Sequence, residues 1–143
     1  MRVAREIDIA APPETIHAVI MDPSRLADWV SIHQSLDEAP DSLREGSTLT
    51  QTLTLAGRSL QVRWRVVENE PPERVVWDGQ GPMRSKAKVI YQLTSNGDGT
   101  HFTYTNEYDL PGGPLGRIAG PAVRRLTAGE LDRSLAQLKL LVE

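Results

Sequence analysis

Polar side chains recur on strand faces that are otherwise apolar, and these side chains are well placed to meet a bound molecule. Gln51 falls among leucines, and Asn106 falls between two tyrosines. Tyr91 and Tyr104 direct two phenols toward the same predicted interior. A buried amide without a partner costs about 1–3 kcal/mol. These groups therefore bond to one another, to water or to a ligand, and the sequence leaves the three alternatives open.

Histidine is the side chain that most readily moves protons near neutral pH. His33 follows Trp29 closely and could act as a general base if it faced the interior. His33 is a candidate general base, and the sequence identifies no catalytic residue. No two histidines have metal-ligand spacing and no carboxylate cluster joins them, so the sequence predicts no metal site.

The sequence lacks the motifs that are typical of several other kinds of active site. The chain has no cysteine, which removes disulfides, thiolate metal ligands and thiol nucleophiles. No Gly-x-Ser-x-Gly sequence is present. The segment GGPLGRIAG (112–120) is not a phosphate loop, because Lys-Ser/Thr does not follow it and the preceding strand is antiparallel.

Length and composition limit the class of protein. A chain of 143 residues fits one domain, 1–143, with a sizeable core. The net charge of −3 is too small and of the wrong sign for nucleic-acid binding. The N-terminus lacks a signal-peptide core, and no window approaches the roughly 18 apolar residues of a membrane span. We therefore expect a cytoplasmic protein without a membrane span.

Hydrophobic periodicity predicts the elements that position these side chains. Period-two alternation predicts an antiparallel sheet with one buried face. The predicted order is one strand, two short helices, about six antiparallel strands and a long C-terminal helix. That helix, of about 28 residues, would span roughly 42 Å. Pro121 predicts a kink or break near residues 119–121.

The order of elements resembles the START-like helix-grip superfamily, and within it the polyketide cyclase/dehydrase and lipid-transport group. The resemblance covers essentially the whole chain and rests on IDIAAPPETIHAVIMDPSRLADWV at the front and GGPLGRIAGPAVRRLTAGELDRSLAQLKLLVE at the back. The combination of DWVSIH, NEPPERVVWDGQG and GGPLG is similar to a narrower branch, some of whose members are assigned as toxins of toxin–antitoxin pairs.

The resemblance implies an α+β helix-grip fold. In that fold a curved antiparallel sheet of six to seven strands wraps around a long C-terminal helix, with two short helices after the first strand. A deep, mainly apolar cavity then lies between the sheet and the last helix. The resemblance implies no cofactor and no shared catalytic triad.

The leading hypothesis is the binding of a small hydrophobic molecule, aromatic, polyketide-like or lipid-like, in that cavity. Trp29 is the best pocket candidate among the tryptophans, since it ends the second short helix near the expected mouth. The residues predicted to contact the ligand are Trp29, Gln51, Leu53, Trp64, Trp77, Tyr91, Tyr104, Asn106, Tyr108 and Ile118.

Two alternatives remain. One is a cyclase, aromatase or dehydratase acting on a polyketide-like substrate, which requires a titratable group inside the cavity. The other is a toxin-like or regulatory protein that acts through protein contacts. The sequence leaves open the ligand's identity and whether a homodimer or another protein partner forms.

Overall fold

Seven antiparallel strands and one long helix make up most of the protein. The computed structural model describes residues 1–109 and 114–143, with side chains for 1–109 and 120–143. The strands are β1 (Arg2–Ile9), β2 (His33–Glu38), β3 (Thr48–Leu55), β4 (Arg58–Glu70), β5 (Arg74–Gln80), β6 (Lys86–Asn96) and β7 (Gly99–Tyr108). The helices are α1 (Pro13–Ile20), α2 (Leu26–Trp29) and α3 (Pro114–Val142), with 3-10 turns at Pro23–Arg25 and Pro82–Arg84.

The strands form one sheet in the order β1-β7-β6-β5-β4-β3-β2. Every paired strand is antiparallel. Strands β1 and β2 are the two edges, so the connection between them, which holds α1 and α2, crosses from one edge of the sheet to the other. This arrangement confirms the predicted helix-grip fold.

Strand β2 is the element that periodicity did not predict. Its sequence HQSLDE contains one large apolar residue, Leu36, and none of its residues is fully buried. An edge strand needs little apolar alternation, because only part of one face packs against the core. Its register against β3 also shifts twice, between His33 and Ser35 and between Leu36 and Glu38.

The starts of the short helices follow their local sequence. Pro13 occupies the first position of α1, where its missing N–H removes no helical hydrogen bond. Asp22 Oδ1 accepts a hydrogen bond of 3.0 Å from the backbone N–H of Ser24, as expected for a residue that caps a helix start.

Helix α3 has 29 residues and continues through Pro121, so the predicted break is absent, and the alternative of a kink stays a prediction. Leu131, Leu135 and Leu138 are at most 1% exposed and anchor the C-terminal half of the helix in the core. Leu126, one turn and a half before Leu131, is 37% exposed. Residues 110–113, between the last strand and this helix, lie outside the described residues.

Aromatic side chains fill the middle of the core. The ring of Tyr91 lies 5.8 Å from those of both Trp29 and Trp77, and 5.1 Å from that of Tyr104. Offset and edge-on contacts at these distances stabilise beyond simple area burial. Trp64 extends the cluster toward β3, with its ring 6.0 Å from that of Trp77.

Gly79 explains how the indole of Trp64 fits against the sheet. The two residues face each other across β4 and β5. A Cβ atom added at position 79 would lie 2.6 Å from Cζ3 and 2.7 Å from Cε3 of Trp64. A strand glycine commonly marks such a close approach. The position of Trp64 therefore depends on the absence of a side chain at residue 79.

We expect Gly79→Ala to lower the free energy of unfolding by about 1–3 kcal/mol, as overpacking in a core does. Urea denaturation measures this change. Gly129→Ala is the matched control, because its added Cβ meets only the guanidinium end of Arg133, at 3.3 Å. The control should raise stability by up to about 1 kcal/mol through helix propensity. Equal effects of the two substitutions would contradict the proposed packing.

Candidate functional site

A cavity of about 210 Å³ lies between the sheet and α3. Side chains of β3, β4, β5, β6 and β7 line one side, and α2 and α3 line the other. Five strands of a flat sheet would span about 19 Å between the outermost two. Residues from all five strands line this one cavity, as expected for a sheet that curves around it. The apolar lining includes Leu26, Val30, Leu53, Val62, Val89 and Val123.

Eight of the ten residues predicted to contact a ligand line this cavity. They are Gln51, Leu53, Trp64, Trp77, Tyr91, Tyr104, Asn106 and Tyr108. Trp29 is not among the lining residues, and the side chain of Ile118 lies outside the described residues. Their contact with a ligand stays a prediction, but the structure brings the eight together around one space.

Trp29 lies deeper than its sequence position suggested. It is 0% exposed, and its ring meets both Tyr91 and Tyr104 at an angle of 61°. The tyrosines, which do line the cavity, are its neighbours in the core. The mouth is marked instead by the exposed lining residues Lys86 and Asp109, at the start of β6 and just after β7.

Gln51 is held by two hydrogen bonds inside the protein. Its Oε1 accepts from Trp64 Nε1 at 3.0 Å, and its Nε2 lies 2.8 Å from His33 Nδ1. An indole can only donate, so Oε1 must face Trp64 and the amide N–H must face the histidine. His33 Nδ1 therefore accepts this bond and carries no proton. For Gln51, the alternative of an internal polar network holds.

His33, the weak catalytic candidate, lies beside the cavity wall and is not among its lining residues. Burial lowers the pKa of His33, and the nearby Asp37 carboxylate works against that shift. The neutral form fits its acceptor role toward Gln51. The half-buried ring of His33 therefore supports the cavity wall indirectly, through its hydrogen bond with the Gln51 side chain.

Tyr91 and Tyr104 face each other across β6 and β7 and form the floor of the cavity. They are 2% and 4% exposed. Burial raises the pKa of both phenols, and the Glu130 carboxylate adds to the shift. Both hydroxyls therefore stay protonated at neutral pH. Tyr108 differs, because its hydroxyl lies 2.8 Å from Thr127 Oγ1 and joins the strand to α3.

Glu130 is the titratable group that the sequence analysis missed. It projects from α3, is 2% exposed and lines the cavity. Its Oε1 accepts hydrogen bonds from Ser134 Oγ at 2.7 Å and Ser31 Oγ at 3.2 Å. Burial raises the pKa of this carboxyl group, and the two serine hydroxyls and the Arg133 charge work against that rise.

A sequence signal for Glu130 does exist. Thr127, Glu130 and Ser134 are buried, and they follow the three- and four-residue spacing of Leu131, Leu135 and Leu138. Residues at that spacing share one helix face. The surrounding segment GELDR (129–133) is rich in charged residues. A glutamate in such a segment is ordinarily assigned to the solvent face, so its composition did not indicate that Glu130 is buried.

Three buried polar atoms have no hydrogen-bond partner among the described residues. They are Trp29 Nε1, Trp77 Nε1 and Asn106 Oδ1. The last two belong to residues that line the cavity. Trp77 and Asn106 also share a row across the sheet, because each is the register partner of Val89. These two residues line the cavity, and their unpartnered polar atoms are buried behind its surface.

Among the described residues, no group of three or more His, Cys, Asp or Glu side chains is arranged to hold a metal ion. The same residues include no helix long and apolar enough to cross a membrane.

The sequence matches the model of a known family over its whole length. The model of the family described as polyketide cyclase / dehydrase and lipid transport matches residues 1–143, and the chain belongs to this family. The curated relative Toxin Rv0910 from Mycobacterium tuberculosis (strain ATCC 25618 / H37Rv) is 25% identical over 126 residues, covering 86% of this chain and 88% of that protein.

Solved structures share the fold at low sequence identity. The protein TTHA0849 from Thermus thermophilus has a TM-score of 0.82 at 19% identity, covering 99% of this chain and 97% of the other. CV1439 from Chromobacterium violaceum has a TM-score of 0.79 at 20% identity with the same coverages, 99% and 97%. A START superfamily protein from Mycobacterium smegmatis has a TM-score of 0.76 at 19% identity, covering 99% and 96%.

We expect Gln51→Leu to destabilise the protein by about 1–3 kcal/mol, because it leaves the buried Trp64 N–H without an acceptor. Chemical denaturation gives the change in free energy of unfolding. Gln61→Leu is the control, since Gln61 is exposed and donates only a 3.3 Å bond to Asp37. That change should stay within about 0.5 kcal/mol. Equal losses would rule out a structural role for the Gln51 amide.

Glu130→Gln should stabilise the protein relative to wild type by an amount that grows with pH. The folded-state pKa of Glu130 is raised above its ordinary value of 4.5. Wild type therefore loses stability as pH rises from about that value through the raised pKa, and glutamine does not titrate. Denaturation curves of both proteins between acid and neutral pH test this. A stability difference that stays constant with pH would contradict the burial of this carboxyl group.

Proposed function

We propose that the protein binds a small, mainly apolar molecule in the cavity between the sheet and α3. The observation that carries the proposal is the cavity itself, a space with a largely apolar wall and a few unpartnered polar groups. Binding sites for small molecules commonly have this composition. The family description, which names polyketide cyclases and lipid transport, agrees with a ligand of this class.

The volume limits the size of the ligand. An engineered apolar cavity of about 150 Å³ stays dry and binds benzene. The present cavity of about 210 Å³ therefore suits one or two fused rings, or an aliphatic group of similar volume. The rings of Trp64, Trp77, Tyr91 and Tyr104 supply apolar surface on the sheet side of this space.

Catalysis is a second candidate, and Glu130 is the observation that favours it. A cyclase or dehydratase needs a titratable group beside its substrate, and Glu130 lines the cavity next to two protonated phenols. Turnover of a polyketide-like substrate that disappears in Glu130→Gln would support this candidate. Simple binding predicts no turnover in either protein.

Action through another protein is a third candidate. Its support is the 25% identity to the relative named Toxin Rv0910. Growth arrest on expression, with a cavity-filled variant as toxic as wild type, would favour it over ligand binding.

A cavity-filling variant tests ligand binding. Ala87→Trp places an indole into the cavity from β6, and Lys88→Trp places the same side chain on the exposed face one residue later. We expect 2-naphthol to bind wild type and the Lys88 variant and not the Ala87 variant. Calorimetry measures affinity, and thermal denaturation checks that the variants fold.

Leu53→Trp is the second filling variant, in case Ala87→Trp fails to fold, because Leu53 approaches the cavity from β3. Binding of 2-naphthol to a folded, filled variant with wild-type affinity would contradict this location. Failure of wild type to bind any bicyclic or monocyclic aromatic compound would contradict the proposed function.

A further inference from the structure

One oxygen of Glu130 remains available to a ligand. The Ser134 hydroxyl donates to Oε1 at 2.7 Å, and the Ser31 hydroxyl shares its proton between Oε1, at 3.2 Å, and the backbone carbonyl oxygen of Glu130, at 3.3 Å. The backbone N–H of Ser31 donates to Ser134 Oγ at 3.0 Å, so this small network has one direction and ends on Oε1. No described residue forms a hydrogen bond with Oε2. Glu130 lines the cavity, and Oε2 is therefore the oxygen of this carboxyl group that a ligand there can engage.

The protonation state of Glu130 decides what Oε2 can bind. An ionised carboxylate accepts hydrogen bonds only, and a protonated one carries its proton on Oε2, because Oε1 already accepts two. A hydroxyl group both donates and accepts, so it matches Oε2 in either state. A carboxylate ligand cannot donate, and it meets a like charge when Glu130 is ionised.

The other charges on the wall also disfavour an anion. The charged residues among the described lining are Lys86, Glu107, Asp109 and Glu130. Lys86 is the only cation of the four, and it lies at the exposed mouth. Inside the cavity, the described wall therefore has no positive charge to pair with a carboxylate head group, and it holds one buried carboxyl group of its own.

The sheet side supports the same class of ligand. Trp77 Nε1 can donate and Asn106 Oδ1 can accept, and both are buried without a partner among the described residues. Hydroxyl groups satisfy donors and acceptors alike. Fatty acids and other organic acids satisfy donors alone at neutral pH.

We propose, building on the binding function above, that the cavity selects neutral hydroxyl-bearing molecules, phenols or alcohols, through Glu130 Oε2 and rejects carboxylates. Glu130 is thus the polar anchor of the site, and the apolar wall holds the rest of the ligand. The geometry of one saturated and one available carboxyl oxygen carries this assignment.

Three naphthalenes that differ in one substituent test the proposal on the wild-type protein. These are 2-naphthol, 2-fluoronaphthalene, which has nearly the same shape and no hydroxyl, and 2-naphthoate. Calorimetry near neutral pH should show 2-naphthol binding about tenfold tighter than 2-fluoronaphthalene, as a charge-assisted hydrogen bond allows. The carboxylate should bind more weakly than both. A fourth compound, 2-naphthalenemethanol, shows whether phenols or alcohols fit better.

Substitution of Glu130 identifies the anchor. Glu130→Met keeps the length of the side chain without its oxygens and should remove the preference for 2-naphthol over 2-fluoronaphthalene. Glu130→Gln, closer in shape, should weaken that preference and improve binding of 2-naphthoate. Asp132→Asn is the control, because Asp132 lies on the outer side of α3 with its side chain 57% exposed. It should leave all affinities unchanged.

The outcomes separate this proposal from the one it builds on. Equal affinity of wild type for 2-naphthol and 2-fluoronaphthalene would overturn the role of Glu130 and leave cavity binding intact. Retention of the full preference in folded Glu130→Met, or tight binding of 2-naphthoate to wild type, would overturn it as well. Binding of none of the compounds would overturn the proposed function itself.

Discussion

The apolar face of a seven-stranded sheet must be covered by little more than one helix, and the rest of the structure follows from this constraint. The aromatic side chains of β4 to β7 are rigid and bulky. Val123, Thr127 and Glu130, which face them from α3, are shorter or polar. Close packing requires complementary shapes, and a curved sheet and a helix do not match everywhere. The two surfaces separate around Val123, Thr127 and Glu130 and leave the cavity, whereas Leu131, Leu135 and Leu138 pack into the core.

The cavity wall contains polar groups of two kinds. Gln51 is satisfied by Trp64 and His33, so it holds two strands and an indole in place. Glu130 accepts hydrogen bonds at one oxygen only, from Ser134 and Ser31. Two lining residues on the sheet, Trp77 and Asn106, have buried polar atoms without partners among the described residues. Satisfied groups stabilise the fold, whereas buried groups without partners cost stability.

Family membership and the cavity agree on an architecture without fixing one activity. A binding protein and a cyclase can share the same apolar enclosure, and the difference between them depends on how a titratable group meets the bound molecule. In this chain that group is Glu130, tied to α3 by Ser134 and to the segment after α2 by Ser31. It is surrounded by two protonated phenols, and the described lining residues include no cation in the interior of the cavity.

The sequence by itself determined which faces of the strands point inward, because alternation is a local property with a fixed period of two. Eight of the residues that line the cavity were predictable on that basis, and the helices were predictable from their own local sequence patterns. Edge strand β2, the depth of Trp29 and the burial of Glu130 were not. Each depends on which distant segments pack together: β3 beside β2, two tyrosines beside Trp29, and Ser31 beside α3. Only the tertiary structure sets those distances, and with them which polar atoms find partners and which remain for a ligand.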